Sequence, residues 1–238
     1  MDENFDVERF FKRVVSAKAS AKTARDEDDW QEAIDILSSW ISRVQEAKEK
    51  IAPRAAGRLD AELADLYGLI GGTQRRWGLK SPEPDQKAHL KASLSAYDEG
   101  FRYERSLNVK EATSYNRINR LVGRVLLDPN VLQAAGTVGA DVDLAFELEE
   151  AEKIVASQLE SGRQRDPWAY CDLVTLRLLR GAPNALATLG LLIDIRPPKF
   201  VYDSSIDTLV PLERAAAGLR PDLSAAVIQM RRAMEYAT

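Results

Sequence analysis

Apolar residues recur along this chain every three to four positions. Val7, Phe10, Phe11, Val14 and Ala17 fall at i, i+3, i+4, i+7 spacing, the periodicity of an amphipathic helix. They predict a first helix over about residues 4–24. Trp30, Ala33, Ile34, Leu37, Ile41 and Val44 repeat the pattern in a second helix, which opens behind Arg25-Asp26-Glu27-Asp28-Asp29 and ends before Pro53. Carboxylates at that opening complement the positive end of the helix dipole. A third stripe, Leu59, Leu63, Leu66, Tyr67 and Ile70, starts at Pro53, is weakened at Gly71-Gly72 and closes at Gly78, because glycine is a poor helix former and a common stop. Ser81-Pro82-Glu83-Pro84-Asp85 is a loop. Leu90, Leu94, Tyr97 and Phe101 mark a fourth helix. After the connection Leu107-Asn108-Val109-Lys110, Tyr115, Ile118, Leu121, Val122 and Val125 mark a fifth, which ends near Asp128-Pro129.

Residues 130–141, with Gly136 and Gly139, read as a flexible loop, followed by a sixth helix carrying Leu144, Leu148, Ala151, Val155 and Leu159 and stopped by Ser161-Gly162. Asp166-Pro167 pairs a capping residue with proline at the first helical position. The seventh helix that follows, Trp168 to Leu179, is apolar on most sides and therefore central. An eighth covers about 183–195 and ends at Pro197-Pro198; Pro211 predicts a broken helix across 200–218, and a last amphipathic helix runs from Asp222 to about Tyr236. No segment alternates polar and apolar residues long enough to make a strand, so the fold class is all-α.

Two stretches carry the signature of helices that approach closely: Tyr67-Gly68-Leu69-Ile70-Gly71-Gly72 and Ser93-Leu94-Ser95-Ala96-Tyr97-Asp98-Glu99-Gly100-Phe101. Small residues beside an aromatic are what the two helices of a tetratricopeptide unit use to pack, and Asp29-Trp30-x-x-Ala33-Ile34-x-x-Leu37 has the look of a second helix of such a unit. The expected architecture is a tetratricopeptide-like α-solenoid of about five irregular hairpins. Residues 1–52 form an N-terminal hairpin, 53–198 the repeat core and 199–238 the capping helices. With Tyr67, Tyr115 and Trp168 taken as equivalent, the spacings are 48 and 53 residues, longer than the ~34 of a regular unit.

Composition narrows the function classes. A net charge of −4 provides no global pull toward nucleic acid or anionic lipid. Cys171 is the single cysteine, so neither an internal disulfide nor a thiolate zinc site is available, as suits a reducing compartment. The acidic opening Met1-Asp2-Glu3-Asn4-Phe5-Asp6 is unlike a basic secretory leader, and no apolar run approaches the ~18 residues of a membrane span. The expectation is a cytoplasmic protein with no membrane association.

Four pieces in order, Leu66-Tyr67-Gly68-Leu69-Ile70-Gly71, Ala96-Tyr97-x-x-Gly100-Phe101, Tyr115-x-x-Ile118-Asn119 and Asp166-x-Trp168-Ala169, resemble the tetratricopeptide-like TRAFs-binding domain of apoptosis-signalling mitogen-activated protein kinase kinase kinases and of bacterial proteins. The resemblance covers about residues 60–195. It implies a regulatory or adaptor module, in bacteria one that accompanies signalling or defence effectors, that binds another protein and catalyses nothing. A loop as long as 130–141 departs from the family's tighter pattern, and the N-terminal hairpin and the last 40 residues lie outside the match.

Aligning the three aromatics places Arg75, Arg76, Asn116, Arg120, Arg124 and Arg177 on one concave basic wall. Guanidinium groups there would grip an acidic peptide, a helix or a terminal carboxylate, with Asn116 bonding its backbone. The other reading is a solvated face balanced by neighbouring carboxylates; Asn119 reads as a helix–helix joint. A nucleic-acid-binding helical repeat is the alternative function, opposed by the net charge and by the lack of aromatics between the basic residues. His89 lacks a ligating companion, Cys171 reads as a small buried hydrophobe, and Glu147, Glu149, Glu150 and Glu152 as a solvated face. Gly71-Gly72-Thr73 lacks the ending of a phosphate loop. No enzyme, metal or cofactor is therefore expected. Trp77, at the expected helix end, is a candidate exposed contact anchor. The stripe Leu223, Val227, Met230 and Met234 is either a self-association face or packed inward.

Overall fold

A computed structural model describes residues 6–50, 53–107, 114–132 and 142–237, without the side chains of 53–56 and 142. Among the described residues there are ten α-helices and no strand: α1 (Val7–Asp26), α2 (Trp30–Lys50), α3 (Pro53–Lys80), α4 (Asp85–Ser106), α5 (Tyr115–Leu127), α6 (Val142–Ser161), α7 (Pro167–Arg180), α8 (Ala185–Asp194), α9 (Lys199–Ala216) and α10 (Pro221–Ala237). A single 3-10 turn spans Pro129–Leu132, and the expected loop beyond it, from 133 to 141, lies outside the described residues, as does the connection at 108–113. No described helix is long and apolar enough to cross a membrane.

Contacts divide the chain into two compact units, Met1–Gly123 and Arg124–Thr238. The division falls inside α5, whereas the sequence reading places boundaries after residues 52 and 198. The physical reason is continuity of the core. Leu59, Leu63 and Leu66 of α3 share one buried cluster with Phe11 and Val14 of α1 and Leu37 and Val44 of α2. In the second unit α9 and α10 pack against each other and against α7, and α10 also against α8.

In the first unit α1 packs on α2, α2 on α3 and α3 on α4. Asp6 caps α1 by accepting from the Arg9 N–H at 2.9 Å, and Asp29 does the same for α2 through Glu32 N–H at 3.1 Å, which is what short carboxylates do best at helix starts. Lys18 of α1 reaches Glu62 at 2.7 Å and Asp65 at 2.8 Å on α3. Burial pulls the Lys18 ammonium down, but these two carboxylates outweigh it and hold it above its ordinary value.

Two expectations about helix ends are corrected. Gly78 does not close α3, which runs through Gly71-Gly72 and on to Lys80. A Cβ on Gly71 would lie 2.8 Å from the Tyr97 ring of α4, so this glycine admits the neighbouring helix, and the packing offsets a propensity loss of about 1 kcal/mol. Likewise α9 is one helix with Pro211 inside it. Proline removes one backbone hydrogen bond, yet Val201, Tyr202, Ser205, Leu209, Leu212 and Ala216 form a single buried face that carries the helix through.

The second unit is centred on α7, with eight buried residues including Leu173, Val174, Leu176 and Leu178. Asp166 caps it by accepting from Trp168 N–H at 3.0 Å. Leu223, Val227, Met230 and Met234 of α10 are buried within this unit, so the last helix spends its apolar stripe on its own chain and leaves none of it for a second copy.

Candidate functional site

The aromatics used to align the repeats occupy different surroundings. Tyr67 stacks on Tyr103 of α4 with centroids 5.8 Å apart. Tyr115 meets Tyr97 edge-on at 6.0 Å. Trp168 opens α7, 41% exposed, with Phe200 at 6.1 Å, instead of lying in the core. The six residues assigned to one wall are divided between the units: Arg75, Arg76, Asn116 and Arg120 fall in the first, Arg124 and Arg177 in the second.

Asn116 is a correction. It is 1% exposed, its Nδ2 donates to the Ala64 carbonyl of α3 at 2.9 Å, and a Cβ on Gly68 or Gly100 would collide with its amide at 2.8 or 2.5 Å. It pins α5 against α3 and α4 and offers nothing to a visiting peptide. Asn119 is a joint too. Its Nδ2 donates to Tyr115 O at 2.8 Å, and its Oδ1 accepts from Arg75 Nη1 at 2.5 Å.

The arginines differ in how their charge is met. Arg124 Nη1 lies 3.1 Å from Glu147. Arg177 donates through Nε to Glu152 at 2.9 Å and through Nη1 to Thr188, and Arg180 shares the same carboxylate. Partial burial pushes the Glu152 carboxyl up, but the hydrogen bonds from Arg177 and Arg180 outweigh it and hold it below its ordinary value. Glu149 and Glu150 pair with Lys153. In the second unit, then, Glu147 and Glu152 balance Arg124, Arg177 and Arg180. Arg120 sits 4.6 Å over the Phe101 ring and 3.7 Å from Asp98, and Arg117 lies 4.9 Å over the same ring.

Arg76 is different. It is half-buried on α3 and makes no hydrogen bond or ion pair with another described residue. Burial, and after it the like charge of Arg25 on α1, with a smaller contribution from Arg75, lower its guanidinium below the ordinary value. An arginine stays charged regardless, so the guanidinium keeps its full charge in these surroundings. Arg25 itself is held by the adjacent Asp26 at 3.1 Å. Sequence reasoning missed Arg25, because it stands 51 positions from Arg76 on a helix outside the supposed repeat core.

Trp77 is no free anchor. Since α3 continues past it, the indole is half-buried and stacks on His89 of α4 at 4.0 Å, while His89 Nδ1 lies 2.8 Å from Gln74 Oε1. Among the described residues no three His, Cys, Asp or Glu side chains gather as a metal site.

Cys171 is buried, with the Ser205 hydroxyl 2.9 Å from its Sγ, and burial pushes its thiol up to about 12. The thiol is therefore protonated at pH 8, and thiolate is the reactive form. Reaction with a chromogenic disulfide reagent at pH 8 is expected to be at least about tenfold slower in the folded protein than in unfolding urea; equal rates would place Cys171 at the surface. No protein-family model matches this chain, and no curated protein matches it.

Proposed function

We propose that the protein is a non-catalytic interaction module, a scaffold or adaptor whose first unit stacks helices in the tetratricopeptide-like manner and holds an acidic segment of a partner protein at Arg76, with Arg25 and Arg75 beside it. The resemblance to the TRAFs-binding domain family and the sequential packing of α1 on α2, α2 on α3 and α3 on α4 support the scaffold. The observation that carries the binding reading is Arg76, a half-buried cation among like charges with no carboxylate of the described chain upon it. A carboxylate arriving from outside would accept paired N–H bonds from the guanidinium fork and relieve the repulsion. The balanced arginines, Arg124 and Arg177, have no such vacancy of charge and are assigned to structure.

Fluorescence anisotropy with a labelled, end-blocked hexaglutamate peptide tests this. At low salt the peptide is expected to bind, and Arg76→Glu to weaken it by about tenfold or more, the scale of a lost charge-assisted contact, while Arg177→Gln leaves the affinity within about twofold. Equal binding by wild type and Arg76→Glu would remove the site. Preferential binding of a single-stranded oligonucleotide with the steep salt dependence of phosphate contacts would instead favour the nucleic-acid alternative.

A further inference from the structure

The surroundings of Arg76 hold two hydroxyl groups that a carboxylate does not need. Gly72 and Arg76 stand one turn apart on α3, and a helical side chain leans toward the turn before its own, so the arginine lies along the strip that Gly72 leaves bare. Two phenols from other helices end at that glycine. A Cβ built there would lie 3.2 Å from the Tyr115 hydroxyl and 3.5 Å from the Tyr97 hydroxyl. Both tyrosines, with Arg25 and Arg75, are close enough to Arg76 to act on its charge. Tyr115 is 41% exposed, so its side of the site meets solvent. The Tyr97 hydroxyl is buried and has no hydrogen-bond partner among the described residues, a state in which few buried hydroxyls are left.

Oxygen count and charge select the ligand. A carboxylate brings two oxygens, and the guanidinium fork occupies both; a hydroxyl beside the fork then has nothing to donate to. A phosphomonoester brings three terminal oxygens and a charge of about −1.5 to −2 at pH 7. Two of its oxygens can meet the fork while the third accepts from the Tyr115 hydroxyl. Coulomb attraction grows with the charge of the ligand, and the like charges of Arg25 and Arg75 beside Arg76 enlarge that gain over what a single carboxylate receives. The phosphodiester of a nucleic acid has two terminal oxygens and one charge, so it uses the site no better than a glutamate does.

We propose that the residue Arg76 receives from the partner protein is a phosphorylated side chain, its phosphomonoester bridging the Arg76 guanidinium and the Tyr115 hydroxyl at Gly72. The proposal rests on the reading of Arg76 as the site for an acidic partner segment and names the group in that segment that is recognised.

The probes are end-blocked, fluorescein-labelled Asp-Glu-X-Glu-Asp peptides in which X is phosphoserine, glutamate or serine, titrated by anisotropy at low salt against the whole chain. The phosphoserine peptide is expected to bind about tenfold or more tighter than the glutamate peptide, the scale of an added charge-assisted hydrogen bond, and the serine peptide to bind weakest. Arg76→Glu is expected to abolish the preference. Tyr115→Phe, which removes only a hydroxyl, is expected to reduce it to about threefold or less, a ratio that a general loss of folding would not move. Circular dichroism and the urea midpoint establish that both variants are folded. Since the second pKa of a phosphomonoester is about 6, binding of the phosphoserine peptide is expected to weaken by about threefold between about pH 7.5 and about pH 5.5, while the glutamate peptide, ionised throughout, holds its affinity. Equal affinities for the phosphoserine and glutamate peptides, both lost in Arg76→Glu, would overturn the phosphate assignment and leave the acidic-segment site standing. No saturable binding, or binding unchanged by Arg76→Glu, would overturn both. A preference unaltered by Tyr115→Phe would overturn the bridging geometry. Displacement by inorganic phosphate at the same concentration as by unlabelled phosphoserine peptide would overturn the partner segment in favour of free phosphate.

Discussion

Replacing Tyr97 by alanine is expected to lower the stability of the first unit by about 3–5 kcal/mol, the range for emptying a fully buried aromatic position. Tyr97 is 0% exposed. Its ring lies where a side chain on Gly71 would be and meets Tyr115 edge-on, so it joins α4 to α3 on one side and to α5 on the other. Removing it leaves a void that the surrounding helices can fill only by moving the joint. Burial also raises the Tyr97 hydroxyl far above its ordinary value, so the group stays neutral and no charge is lost with it. Tyr97→Phe keeps the ring and is expected to fall within about 1 kcal/mol of wild type, because the buried hydroxyl has no hydrogen-bond partner among the described residues and none is lost with it. Urea titration followed by far-ultraviolet circular dichroism checks both, as a shift of midpoint at unchanged slope. A Tyr97→Ala midpoint equal to that of wild type would show that another residue holds these helices together.

Gly71→Val is expected to cost about 1–3 kcal/mol by overpacking. The first carbon of any side chain at Gly71 would stand 2.8 Å from the Tyr97 ring, closer than van der Waals contact permits, and the ring is fully buried and has nowhere to retreat. The two positions should therefore be coupled. In a Tyr97→Ala background the clash is gone, and the same valine is expected to cost less by about 0.5–3 kcal/mol, the interaction energy of touching residues. The double-mutant cycle in urea measures this directly. Additive costs would mean that α3 and α4 do not approach through this pair.

Much of the local structure was legible in the chain. Val14, Leu37, Leu63, Tyr97, Leu121, Val155 and Val227 all sit on stripes spaced for a helix and all are buried to within 1% exposure. The Asp166-Pro167 start of α7 needed only local capping chemistry. The errors came where a local preference met a tertiary partner. Gly78 read as a helix stop, and Pro211 as a break, because intrinsic propensity is all a single strand of sequence displays. Packing decided otherwise in each case.

The candidate sites were less legible. Arg75 and Arg76 were singled out by helical spacing, but spacing places a residue on a face without saying what covers that face. Asn116 looked like an exposed clamp and is sealed under Gly68 and Gly100. Arg124 and Arg177 looked like members of the same wall and are met by Glu147 and Glu152. Arg25 beside Arg76 and the contact of Phe10 with Trp40 each join two helices, and spacing along a single helix does not show such neighbours.

By itself, then, the order of residues determined that this protein is built from amphipathic helices, where most of them begin and end, and which side of each is apolar. These follow from a 3.6-residue periodicity and from caps that act within one turn. Tertiary structure alone decided which helices share a core, whether Gly78 and Pro211 end a helix, and which arginines are neutralised. Those outcomes depend on distances between residues tens of positions apart, and a charge or a hydrophobic face acquires its role only when the group opposite it is known.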